Sequence, residues 1–172
     1  MNKYIKKNQE KKTKKRNKTF HYTNENMVKD LIKIIPFRKN DIVLDAGSGK
    51  NKVFYNNIPT KCKRNECEIE DGKDFFDEFL KYDWLIGNPP FNIGWKFIEK
   101  ASEISKKGMA FLGNINFFNS LTPKRLEFLK EKGFTISKIH LVADKRWYGR
   151  YYFIIFTKDD NKVFSWNLKT YK

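Results

Sequence analysis

The chain has 172 residues, with 36 Lys+Arg against 20 Asp+Glu and a formal net charge of +16. That length suits one domain with its own core, and 40% hydrophobic and 16% aromatic residues argue against wholesale disorder. No apolar run approaches the ~18 residues of a membrane span, and no apolar stretch follows the Lys-rich start to make a secretory signal. Two cysteines, Cys62 and Cys67, make no disulfide framework, so a reducing, cytoplasmic setting is expected.

Residues 1–18 hold nine cationic side chains against Glu10, half the net charge, and read as a basic, disordered arm. Residues 19–172 keep the other half and read as a single domain. Counterion release draws such surfaces to polyanions, which makes nucleic acid the expected partner. A solvated tail is the plain alternative; an acidic protein or an anionic membrane surface would answer the same charge.

Asn24 is placed to cap a helix whose stripe is Met27, Val28, Leu31, Ile32 and Ile35, stopped by Pro36. Ile42-Val43-Leu44 is a short strand closing on Asp45-Ala46-Gly47-Ser48-Gly49. A short helix is expected near 50–57 and a second strand within 61–69. Tyr82 to Gly87 is a third strand, ending at Asn88-Pro89-Pro90-Phe91. Trp95, Ile98, Ala101 and Ile104 have helical spacing, with Gly108 expected to end that helix and Met109–Leu112 to form a strand. Thr122-Pro123 starts a helix with Leu126 and Leu129 inward and Gly133 as its stop. Residues 134–142 and 150–157 read as a hairpin pair, and Val163, Phe164 and Trp166 as a further edge strand. Strands alternating with helices predict an α/β fold, its sheet mostly parallel, with ligands at the carboxyl ends of the strands.

Two loops at such ends carry chemistry. In Asp45-Ala46-Gly47-Ser48-Gly49 the glycines permit a sharp turn and close backbone approach, and the helix start beyond offers unpaired N–H groups. An acid about 20 residues on is suited to a ribose hydroxyl; Glu68 lies 19 residues after Gly49, and Glu70 is a second candidate. A phosphate-binding P-loop is excluded, because Leu44 and Asn51 occupy its required Gly and Ser/Thr positions. In Asn88-Pro89-Pro90-Phe91 the prolines fix the backbone so that a carbonyl lacks a neighbouring N–H. The Asn amide and that carbonyl make two acceptors for a planar amino group, with Phe91 as a stacking face. A Pro-Pro turn with a core Phe is the alternative.

In this order, 43 residues apart, the motifs resemble those of S-adenosylmethionine-dependent amino methyltransferases. The nearest type is the small phage and prokaryotic DNA N6-adenine methyltransferases with the Asn-Pro-Pro-aromatic motif. The resemblance implies a Rossmann-like class I methyltransferase fold, a mixed sheet of seven strands with a C-terminal antiparallel hairpin. It implies S-adenosylmethionine as cofactor, held by Asp45, Ala46, Gly47 and Gly49, by Glu68 at the ribose, and by Asp74 and Phe75 at the adenine. Tyr22 and Thr23 would touch the methionine end. Asn88, Pro89, Pro90 and Phe91 would hold the target amino group and base.

This chain departs from the pattern at Asn24, where the family has Pro, and in placing Asp74 only six positions after Glu68, which shortens the third-strand region. No separate target-recognition domain is expected in it. Target choice then falls to the segment 145–150, to 114–121, or to a second subunit. Lys145, Arg146, Trp147, Tyr148 and Arg150 interleave cations with aromatics and are the candidate nucleic-acid contacts, a solvated hairpin being the alternative. Phe117 and Phe118 read as buried, His21 and His140 as structural or surface residues. Cys62 and Cys67 lack the second pair a zinc site needs. The expected activity is methylation of adenine N6 in nucleic acid, DNA ahead of RNA. A protein glutamine-amide methyltransferase and a non-catalytic binding subunit are the competing readings.

Overall fold

The computed structural model of the chain describes residues 23–144 and 149–158. The basic arm, His21, Tyr22, residues 145–148 and the expected strand at Val163–Trp166 lie outside the described residues.

Helix α1 (Glu25–Lys33) begins as its sequence dictates. The Asn24 side chain accepts from the N–H groups of Asn26 and Met27, and Val28, Leu31 and Ile32 are buried. Then come β1 (Ile42–Ala46), α2 (Val53–Asn57), β2 (Lys63–Cys67) and β3 (Tyr82–Gly87). Helix α3 (Gly94–Ile104) runs straight into β4 (Ser105–Asn114), followed by α4 (Ile115–Asn119), α5 (Pro123–Glu131), β5 (Thr135–Val142) and β6 (Tyr151–Thr157). Pro123 takes the first turn of α5 and Gly133, at φ +84°, ends it; the Phe134 N–H returns to the Leu129 carbonyl.

The sheet has the order β2-β1-β3-β4-β6-β5. β1 to β4 are mutually parallel, while β6 runs antiparallel to both β4 and β5. The sheet is therefore mixed and mostly parallel, with the expected C-terminal hairpin. Among the described residues it has six strands rather than seven. Two short 3₁₀ turns, Ile69–Asp71 and Phe75–Asp77, stand where the third strand of the family pattern was expected.

Successive side chains on a strand point to opposite faces, and each central strand feeds two cores. Leu44, Leu85, Met109, Phe111, Ile154 and Phe156 join α3 and α5 on one face. Val43, Trp84, Ile86, Leu112, Phe153 and Ile155 join α1 and α2 on the other. The helices thus cover both faces and leave the strand ends free to carry loops. Among the described residues no helix is long and apolar enough to cross a membrane.

Gly108 does not end a helix. α3 stops at Ile104 and Gly108 sits inside β4, where an added Cβ would run into the Trp84 ring and lie 2.7 Å from the Phe156 carbonyl. The glycine is there to seat the indole. At the opposite end of the strands from the motif loops, buried Asp41 takes Lys107 Nζ at 2.6 Å, and Lys107 also reaches Asp83 at 3.1 Å. Burial raises the Asp83 carboxyl, but the Ile42 N–H and Lys107 outweigh it and hold it below the ordinary range.

Candidate active site

The site begins where β1 stops. Gly47 and Gly49 take φ of +72° and +65°, which reverses the chain toward α2. Asp45, 1% exposed, lies beneath this loop, and its Oδ2 accepts the Tyr55 N–H at 2.9 Å. Its Oδ1 is buried without a hydrogen-bond partner. Burial raises the carboxyl to about 7 against the pull of the Tyr55 N–H, and the charges of Glu66 and Glu68 reinforce the rise.

The amides of the loop itself are tied down. The N–H groups of Gly47 and Ser48 both donate to the Cys67 carbonyl at 3.0 Å, and the Gly49 N–H donates to Glu68 Oε2 at 2.6 Å. The glycine loop is strapped to the end of β2 by these three bonds. Ser48 Oγ adds a fourth tie to Glu66 at 3.1 Å. Glu66, which sequence reasoning missed, also pairs with Lys52 and Lys73, at 3.1 Å each.

The two 3₁₀ turns supply the next wall. Glu68 Oε1 accepts the Glu70 N–H at 3.3 Å, and Asp74 Oδ1 accepts the Phe76 N–H at 2.9 Å. Each carboxylate caps its own turn and so has a fixed place. Phe75 is buried, its ring stacked on Phe97 of α3 at 4.8 Å, and Phe76 meets Phe97 edge-on at 5.2 Å.

β3 delivers the second motif. Gly87 packs so closely on β1 that an added Cβ would lie 2.7 Å from the Ala46 carbonyl. Asn88 follows, and its Nδ2 donates to Thr23 Oγ1 at 3.0 Å. Asn88 Oδ1 is buried and has no donor among the described residues. Pro89 is buried, and its carbonyl accepts no hydrogen bond among the described residues, whereas the Pro90 carbonyl takes the Ile93 N–H at 3.1 Å. Phe117, fully buried, fills the notch left by Gly94 and Gly113, where a Cβ on either glycine would strike its ring. That contact anchors the chain leaving the motif.

These walls enclose a cleft of about 660 Å³. Of the expected cofactor residues, Thr23, Gly47, Gly49, Glu68, Asp74 and Phe75 line it; of the expected catalytic ones, Asn88 and Pro90 do. Asp45, Ala46, Pro89 and Phe91 are not among its lining residues. The Phe91 ring lies half-buried beside Tyr151, centroids 5.9 Å apart. Glu70, the second candidate for a ribose hydroxyl, lines it too, and Lys50, Lys73, Phe76, Ile93 and Phe97 do so without having been singled out for a site role. Of these, Phe97 carries a sequence signal, as an apolar position of α3.

Tyr22, Lys145, Arg146, Trp147 and Tyr148 fall outside the described residues. Arg150 is exposed and precedes Tyr151, which pairs with Asn114 at the carboxyl end of β4. Gly87 pairs with Phe111 near that same end. The β5–β6 connection therefore emerges on the side of the sheet that carries Asn88.

Neither a scan against protein-family models nor a search of curated proteins finds a match. Solved structures do match. TrmN from Thermus thermophilus aligns over 81% of this chain and 50% of its own, at 14% identity and TM-score 0.58. The 23S rRNA methyltransferase ErmE aligns over 80% of this chain and 69% of its own, at 13% identity and TM-score 0.57. The magnesium protoporphyrin IX methyltransferase ChlM from Synechocystis PCC 6803, with bound SAH, aligns over 78% of this chain and 83% of its own, at 10% identity and TM-score 0.53. The fold is that of the Rossmann-like, class I methyltransferases. This chain spans half the length of the Thermus protein, and identities this low speak for architecture alone.

Proposed function

We propose that the chain uses S-adenosylmethionine to methylate the exocyclic amino group of adenine, N6, in nucleic acid. One observation carries the reading. Asn88 lines the cleft and its Oδ1 is buried without a donor, and the carbonyl of the adjacent Pro89, which is not a lining residue, accepts no hydrogen bond either, among the described residues. Buried acceptors left unpaired cost about 1–3 kcal/mol each, so a site that keeps them is built for a donor that arrives. An amino group brings two N–H bonds to two acceptors.

The cleft suits the cofactor on its own chemistry. The amides of Gly47, Ser48 and Gly49 are spent on Cys67 and Glu68 rather than held open for a phosphate, and S-adenosylmethionine carries none. Glu68, Glu70 and Asp74 line the wall and accept from hydroxyl and amino groups, while Phe75 and Phe97 offer an apolar face to a purine. A carboxylate-rich wall also favours a sulfonium cation. The SAH-bound ChlM shows this fold holding such a molecule.

When bound, S-adenosylmethionine supplies an electrophilic methyl group. The residues of this chain do the rest. Asn88 Oδ1 and the Pro89 carbonyl draw on the two N–H bonds of the acceptor amine, whose lone pair is otherwise delocalised into the ring. That pull favours a more tetrahedral nitrogen and aims its lone pair into the cleft, and positioning provides much of the acceleration. Thr23 holds the Asn88 amide so that oxygen, not nitrogen, is the free atom.

Charge supports a nucleic-acid acceptor. The net charge is +16, and the basic residues 1–18 join the fold through a short segment ending at Thr23, which lines the cleft. The motif order favours DNA; ErmE, a 23S rRNA methyltransferase, shows that the fold also serves RNA. The test is transfer of labelled methyl to single-stranded DNA, duplex DNA, RNA and a glutamine peptide, beside a cofactor-binding titration. Label on an adenine amino group supports the reading. Label on the peptide alone moves the acceptor to protein, and absence of cofactor binding makes the chain a non-catalytic subunit.

A further inference from the structure

The end of the sheet opposite the cleft carries a second basic feature. Lys81 precedes β3, Lys106 opens β4, Lys132 closes α5 and Lys158 follows β6. Because β6 is antiparallel to β4, all four lie at the amino ends of the parallel strands, away from Asn88. With Ser102, Glu103 and Ser105 they line an open concavity of about 560 Å³.

Much of this surface is uncommitted. Lys81 Nζ caps the Glu103 carbonyl at the end of α3. Lys106, Lys132 and Lys158 have no carboxylate within 4.0 Å among the described residues. The Lys132 and Lys158 ammonium groups rest over the rings of Phe128 and Phe134, at 5.5 and 4.9 Å, which restrains their stems near the rim. Two helix C-termini, those of α3 and α5, also point here, but a macrodipole end amounts to roughly half a charge. Four lysines against Glu103 exceed what those ends require.

We propose that this concavity is a second nucleic-acid contact, which holds a phosphate backbone while another part of the strand enters the cleft. The inference rests on the reading of the acceptor as nucleic acid. The lining favours phosphate over a protein partner, because it contains no aromatic or aliphatic side chain to anchor an interface. Lysines on long stems meet phosphates as point charges and need no fixed geometry.

The experiment measures binding of a fluorescent single-stranded oligonucleotide, as DNA and as RNA, to the full chain over a range of salt. Wild type is compared with Lys106→Gln/Lys132→Gln and with Lys106→Glu/Lys132→Glu; all these side chains are exposed, and thermal melting confirms that the fold is kept. The Gln pair should lower the slope of log K against log salt by about 1.4 and weaken binding roughly tenfold near 50 mM salt, the Glu pair more. Wild-type binding that both pairs leave unchanged overturns the second contact and spares the acceptor reading. A wild type that binds no oligonucleotide overturns both. Tighter capture of polyglutamate than of the oligonucleotide overturns the phosphate assignment.

Discussion

Asn88 and Thr23, 65 residues apart in sequence, meet through one hydrogen bond, Nδ2 to Oγ1 at 3.0 Å. That bond fixes which end of the Asn88 amide is free. The nitrogen is occupied and Oδ1 stays buried without a donor. Thr23 is thereby a positioning residue as well as part of the cleft wall. Thr23→Val should lower kcat roughly tenfold, the effect of about 1–1.5 kcal/mol from one lost hydrogen bond, with cofactor affinity within about twofold of wild type. Thr23→Ser restores the hydroxyl and should recover most of kcat. Steady-state kinetics beside a cofactor titration checks this.

Gly87 sets the approach of the Asn-Pro-Pro motif to β1. A methyl group there would lie 2.7 Å from the Ala46 carbonyl, which as backbone has little room to yield, and 3.4 Å from Asp45 Oδ1. Gly87→Ala should destabilise the fold by about 2–3 kcal/mol and lower activity beyond what the lost folded fraction explains. Urea unfolding together with activity per folded molecule separates the two effects.

Asp45 gives a pH-dependent signature. Its carboxyl titrates at about 7 in the fold, against 3.8 for the ordinary group. Between those values the folded state holds a proton that the unfolded state has released, so this group's contribution makes stability fall as pH rises from about 4 to 7. Asp45→Asn keeps an acceptor for the Tyr55 N–H and removes the titration. The variant should therefore gain on wild type across that window, by on the order of 3 kcal/mol once pH exceeds 7. Urea midpoints of both proteins near pH 4.5, 6 and 8 provide the comparison.

Lys107 neutralises Asp41, which is 1% exposed, and leans on Asp83. Lys107→Met leaves Asp41 buried with only the Arg38 N–H as donor. The expected loss is about 2 kcal/mol, less than for a fully buried pair because Lys107 is partly exposed. Since the triad lies at the far end of the strands, cofactor affinity should not change. Thermal melting beside the cofactor titration reads both.

Local signals carried much of this fold. β1 and β3 were legible because short apolar runs end abruptly in Gly47 and in Asn88-Pro89-Pro90, and α1 because Asn24 precedes a clean stripe. The hairpin of β5 and β6 announced itself through Ile, Phe and Tyr. The five residues between Glu68 and Asp74 pointed to a shortened third-strand region, and two 3₁₀ turns stand there. What escaped depends on partners distant in the chain. Gly108 looked like a helix stop because nothing nearby reveals that Trp84 needs its space. The straps on the glycine loop escaped because the acceptors, Cys67 and Glu68, lie on the neighbouring strand and the turn beyond it. Phe117 could be read as buried, but not as the wedge between Gly94 and Gly113. The two motifs were visible as sequences; the Thr23 bond that orients one of them was not.

The central claim is that Asn88 Oδ1 and the Pro89 carbonyl receive an adenine amino group. Its most direct test is to digest nucleic acid after incubation with S-adenosylmethionine and quantify N6-methyladenine for wild type, Asn88→Ala and Asn88→Asp. The account predicts N6-methyladenine from wild type, a loss of at least about 100-fold in Asn88→Ala, and cofactor binding intact in both. Asn88→Asp keeps an acceptor oxygen and should retain more activity than Asn88→Ala. Equal N6-methyladenine from wild type and Asn88→Ala would contradict the account, as would a wild type that binds cofactor and methylates a ring nitrogen, a sugar or a protein instead.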